Sequence, residues 1–172
     1  MIKSNKKMQK LLTEIPKTIN TKRKLVHLPT LMNLVWPDFI EVEGCVLLNL
    51  NREKVMKLNM KHILSSFGDR TGFEAFENHV HMIDYVKRLK DNPIEGLSLA
   101  LNILEIWECK LLRDFPDYKF QLILWYDGKE DTILRFYKFR QEEGSWIDFT
   151  KIESDQEGAV LVKEIGTEGN VT

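Results

Sequence analysis

YKFQLILWYDGKEDTILRFYKFR, Tyr118–Arg140, decides the fold, because here the hydrophobic period becomes two. Phe120, Leu122 and Leu124 alternate with Gln121, Ile123 and Trp125; Leu134 and Phe136 then oppose Ile133, Arg135, Tyr137 and Phe139. Successive side chains of an extended chain point to opposite sides, so this predicts two strands with two distinct faces. Asp127-Gly128 supplies the turn chemistry of the loop Asp127–Asp131. SWIDF (Ser145–Phe149) and AVLVKEI (Ala159–Ile165) read as two further strands. Immediately upstream the period is helical. Asn92 suits a cap, Pro93 the first turn, and Leu97, Ala100, Leu101, Leu104, Trp107, Leu111 and Phe115 mark an apolar face. That helix is predicted over about 93–114, ending before Pro116. Helices followed by consecutive strands imply an α+β single domain, with helices packed on an antiparallel β meander.

Further upstream the signals are mixed. FIEVEGCVLLNL, Phe39–Leu50, alternates and then becomes continuously apolar, which reads as one strand. Asn51 suits the cap of a helix over about 52–66 carrying Met56, Met60 and Ile63, stopped by Gly68. In FGDRTGFEAFENHVHMIDYV, Phe67–Val86, Thr71 and Glu74 have the spacing of a capping box. Phe73, Phe76, Val80 and Ile83 then favour a helix; the competing reading takes HVHMI as a short strand. Residues 1–24 form a basic segment, with Met8, Leu11, Leu12 and Ile15 at helical spacing before Pro16, and 25–172 form the domain.

The chain of 172 residues is 43% hydrophobic and 30% charged, which suits one globular core. Its net charge of −1 favours neither nucleic acid nor an acidic membrane. The total hides an asymmetry of +7 over residues 1–24 and −6 over 141–172. The termini could attract each other or two partners, and the simpler account is two solvated ends. The basic start lacks a following apolar run, so no signal peptide is expected, and no apolar run is long enough for a membrane span. Cys45 and Cys109 lie in apolar surroundings and read as packing residues of a cytosolic protein.

Phe67–Val86 also concentrates Asp69, Arg70, Glu74, Glu77, His79, His81 and Asp84. His79 and His81 could share a metal only on an extended backbone, since a helix sets them about 200° apart. No H-E-x-x-H spacing and no G-x-S-x-G elbow accompanies them. The favoured reading is the polar side of a structural element, with His81 near Asp84 and no cofactor or metal. Arg135, Lys138 and Arg140 interleave with Tyr137 and Phe139, as in single-strand nucleic-acid binders; a strand with aromatics inward and cations outward is simpler. Asp127, Glu130 and Asp131 crowd the hairpin tip, and Glu142, Glu143 and Asp148 flank Trp146. Carboxylates around an aromatic anchor have the composition of a protein-binding face.

A Trp-containing helix running into Phe115-Pro116, a strand, DGKEDTILRFYKFRQEEGSWID (Asp127–Asp148) and a last strand complete this texture. Over Asn78–Ile165 it resembles the small immunity proteins of bacterial contact-dependent and other polymorphic toxin systems. The resemblance implies a cytoplasmic, non-catalytic inhibitor of a cognate toxin, commonly a nuclease, and transfers no site residue. On this reading Asp127, Glu130, Asp131, Glu142, Glu143, Trp146 and Asp148 meet a basic toxin domain. The alternatives are a metal-assisted enzyme built on Asp69–Asp84 and a nucleic-acid binder using residues 1–24.

Overall fold

Alternation becomes sheet and the 3.6-residue period becomes helix in this order: β1 (Ile2–Ser4), α1 (Lys6–Glu14), α2 (Leu28–Val35), β2 (Asp38–Val42), β3 (Cys45–Asn49), α3 (Met60–Phe67), α4 (Arg70–Glu77), β4 (His79–His81), α5 (Met82–Tyr85), a 3-10 turn (Lys87–Asp91), α6 (Pro93–Asp114), β5 (Phe120–Tyr126), β6 (Thr132–Lys138) and β7 (Ala159–Ile165). This is a computed structural model, and it describes residues 2–15, 28–50, 57–148, 150 and 158–166. The predicted helix over 52–66 and strand over 145–149 therefore fall partly outside the described residues, as do Pro16–Lys24 of the basic segment.

The fold is α+β. One sheet runs β1-β7-β5-β6-β4, antiparallel at each pairing, and β2-β3 form a separate hairpin. The strand order departs from a simple meander. β4 occupies the outer edge of β6, so β7 pairs instead with the free edge of β5, and β1 closes the far side. The opposite ends of the chain thus meet in the sheet: Lys3 is paired with Val162.

The two faces divide as the alternation requires. Phe120, Leu122, Leu124, Leu134 and Phe136 face the main core, where Leu97, Ala100, Leu104, Trp107 and Leu111 of α6 cover them. Trp107 is fully buried and donates from Nε1 to the Leu34 carbonyl of α2 at 2.8 Å. Phe39 stands edge-on to Trp107 and Phe136. The start of the chain docks too: Met8 is fully buried, and Asn5 caps α1 through Met8 N while donating to the Gly158 carbonyl.

Several expectations are corrected. Phe39–Leu50 is a hairpin, because Glu43 and Gly44 both take positive φ (52° and 77°), the geometry of a two-residue turn. α3 begins at Met60 with Asn59 as its cap, so residues 57–59 are not helical; Gly68, at φ 85°, ends it as expected. Thr71 and Glu74 make no capping box. Asp69 caps α4 by accepting from Gly72 N, which frees Glu74 to turn into the interior. His79–His81 is strand, held by the register His79–Arg135 and His81–Ile133. Ser145–Asp148 forms no strand; Trp146 N donates to the Tyr137 hydroxyl and Ser145 Oγ to Gln121 Oε1, so side chains hold it above the sheet. Cys109 is exposed on α6, whereas Cys45 is buried.

Candidate functional site

The second face of the sheet is only partly covered. Ala75 of α4 and Ile147 pack on Ile123, Tyr137, Val160 and Val162. Beside them the face stays open as a pocket of about 270 Å³ lined by Ile123, Trp125, Ile133, Arg135, Trp146 and Val160, among others. Register explains the lining. Arg135 pairs with Ile123 on one side and His79 on the other, and Ile133 with Trp125 and His81, so these side chains share one face. Gly158 is required here, because a Cβ at that position would collide with the Trp125 indole.

A band of rings runs on from this pocket. Trp146 is 46% exposed and lies over the Arg135 guanidinium at 4.3 Å. Across β4, the His81 and His79 rings are 5.3 Å apart, His79 lies 5.8 Å from Phe76, and Phe76 lies 5.2 Å from Phe67. Phe76 and Leu64 are 55% and 44% exposed. A run of neighbouring rings with exposed members such as Trp146 and Phe76 has the composition of a recognition surface.

Polar groups of the Phe67–Val86 window are fixed in place. Glu74 is fully buried and accepts from Val46 N, Lys138 N and both Arg140 amino groups at 2.7–3.2 Å. Burial draws the Glu74 carboxyl upward, against the hydrogen bonds and charge of Arg140. The same pair corrects the outward placement expected for Arg140, which is buried and also donates to the Gly44 carbonyl. Burial beside Glu74 also pushes the Cys45 thiol up to about 11. His79 donates from Nδ1 to the Phe76 carbonyl, and His81 from Nδ1 to Asp131, not to Asp84. Among the described residues no three of His, Cys, Asp and Glu form a group that could hold a metal ion.

The seven partner-binding candidates divide. Asp127 Oδ1 accepts from the backbone of Lys129, Glu130 and Asp131, so it builds the hairpin turn. Asp131 is buried against His81. Glu143 accepts from Thr71 N and Oγ1 and faces Arg140 at 3.7 Å. Burial would raise its carboxyl, but those donors and the Arg140 charge hold it below the usual range. Asp148 accepts from Thr150. Glu130, near Lys90, and Glu142 stay exposed, and Trp146 joins the aromatic band. Arg135 and Phe76, absent from the seven, are central to this surface. The alternation in His79-Val80-His81 was their only local signal, since a strand there puts both histidines beside Arg135.

The fold and this surface define an α+β domain that presents an open aromatic sheet face around one arginine. No helix among the described residues is long and apolar enough to cross a membrane. The chain belongs to the uncharacterized protein PM0498 family, whose model matches residues 3–171. No curated protein and no solved structure matches it.

Proposed function

We propose that this protein is a binding protein that neutralises a cognate bacterial toxin as a non-catalytic inhibitor, docking through the aromatic sheet face. The observation that carries the docking surface is the continuous strip from Trp146 through Arg135 to His79 and Phe76, with Trp146 and Phe76 about half exposed. Exposed rings of this kind supply contact area at little entropic cost and are enriched among residues that dominate binding energy. The likeness of Asn78–Ile165 to immunity proteins supplies the partner class. Glu130 and Glu142, the carboxylates of the seven that stay exposed, would steer a basic toxin domain toward the protein.

Co-expression with a toxin domain encoded by the adjacent reading frame tests this reading. The wild-type chain should restore growth and co-purify with the toxin. Trp146→Ala or Phe76→Ala should each weaken the complex by about 2 kcal/mol or more, the range of a binding hot spot. Full protection by a Trp146→Ala, Phe76→Ala double variant would overturn the proposal.

One observation favours a second reading, a metal-assisted enzyme. Both histidines engage an oxygen through Nδ1, so Nε2 is the nitrogen each would offer a metal from the same edge strand, with Asp131 beside His81. Metal analysis of the purified chain decides this: stoichiometric zinc, iron or manganese that disappears on His79→Ala, His81→Ala would replace the inhibitor reading.

A further inference from the structure

Among the described residues Arg135 has no counter-ion. Its Nε is buried and has no hydrogen-bond partner, and among the described residues no carboxylate lies within ion-pair distance of its guanidinium. Its guanidinium lies 4.3 Å from the centre of the Trp146 ring. Burial pushes the guanidinium below its usual value. Its partners in register, His79 and Ile123, carry no acid either. A half-buried charge without an opposite partner costs stability, and an anion that completes the site lowers that cost. The space beside it is a pocket of about 270 Å³, room for on the order of nine waters or one ring-bearing molecule.

We propose that this pocket binds a small apolar carboxylate, with the carboxylate held by Arg135 and the hydrocarbon part lying between Trp125 and Trp146 against Ile123, Ile133 and Val160. A guanidinium offers parallel N–H donors that match a carboxylate edge, and partial withdrawal from water strengthens that pair. Apolar walls with one convergent polar group are the usual make-up of a small-molecule site. This site goes beyond toxin neutralisation and does not depend on it.

The probe is 4-phenylbutyrate, with 4-phenylbutan-1-ol as its neutral twin, titrated into the full chain by calorimetry and tryptophan fluorescence. The carboxylate should bind and perturb indole emission, and the alcohol should bind about tenfold more weakly or worse, since a charge-assisted pair is lost. The Arg135 Nε–H proton resonance should move downfield with the acid and stay in place with the alcohol. Arg135→Met should lose the discrimination while melting at or above the wild-type temperature, because it removes a half-buried cation with no ion-pair partner among the described residues. Equal binding of the two probes, no binding of the acid at millimolar concentration, or unchanged affinity in Arg135→Met would each overturn the proposal. So would a markedly lower melting temperature for that variant, which would make Arg135 a structural residue. The comparison of acid with alcohol on the wild-type chain stands whether or not the variant folds.

Discussion

Replacing Glu74 with Ala removes the carboxylate that joins α4 to β3 and β6. Four donors then lose their acceptor: Val46 N at 2.8 Å, Lys138 N at 2.7 Å, and Arg140 Nη2 and Nη1 at 2.7 and 3.2 Å. Arg140 keeps the carbonyls of Gly44 and Lys138 and a more distant Glu143, but its closest counter-charge is gone. Breaking a buried ion pair on one side costs about 3–5 kcal/mol, and stranded backbone N–H groups form part of that figure. Against a total stability of roughly 5–15 kcal/mol this is a large fraction. At about 2–4 °C per kcal/mol for a chain of this size, the melting temperature should fall by roughly 6–20 °C. Urea denaturation followed by tryptophan fluorescence measures the free-energy loss, and thermal melts followed by circular dichroism measure the shift. A Glu74→Ala, Arg140→Met double variant should recover much of the loss, because apolar groups in place of a buried pair are often near neutral. A loss below about 1 kcal/mol for Glu74→Ala, or a double variant no better than the single one, would refute the view that the unpaired charge sets the cost.

Other outcomes follow from the same contacts. Glu143 has its folded-state carboxyl below the ordinary value, so its stabilisation is present above the unfolded glutamate range and is lost as pH falls through the folded one. The gap in stability between wild type and Glu143→Gln should therefore be widest near neutral pH and close on acidification, as measured by urea midpoints. With its thiol raised to about 11, Cys45 should resist thiol reagents at pH 8 while exposed Cys109 reacts, giving one modified site by mass spectrometry in the native protein and two in denaturant. Asn5→Ala removes the cap of α1 and the bonds to Gly158 and Val160 that tie the chain start to β7, at a cost of about 1–3 kcal/mol and with faster amide exchange in β1.

The strand pair, its two faces and the span of α6 were written into local patterning. Phe120, Leu122 and Leu124 reached one core and Ile123 and Trp125 the other side, because side-chain direction in a strand depends only on parity. Gly68 likewise ended α3 by its own backbone freedom. The Phe67–Val86 window behaved otherwise. Whether His79–His81 was helix or strand was settled by the open edge of β6, and only that pairing set two histidines beside Arg135. Glu74 could not be told from a capping residue until Arg140, 66 positions later, arrived to neutralise it. The same holds for two of the candidate docking carboxylates: Asp131 and Glu143 carry the charge of a docking face, yet His81 and Thr71 had already engaged them. Periodicity and turn chemistry act between near neighbours, so one reading of the chain recovers them. Charge compensation and the choice of sheet edge act between residues distant in the chain, and no local pattern says which of them will meet.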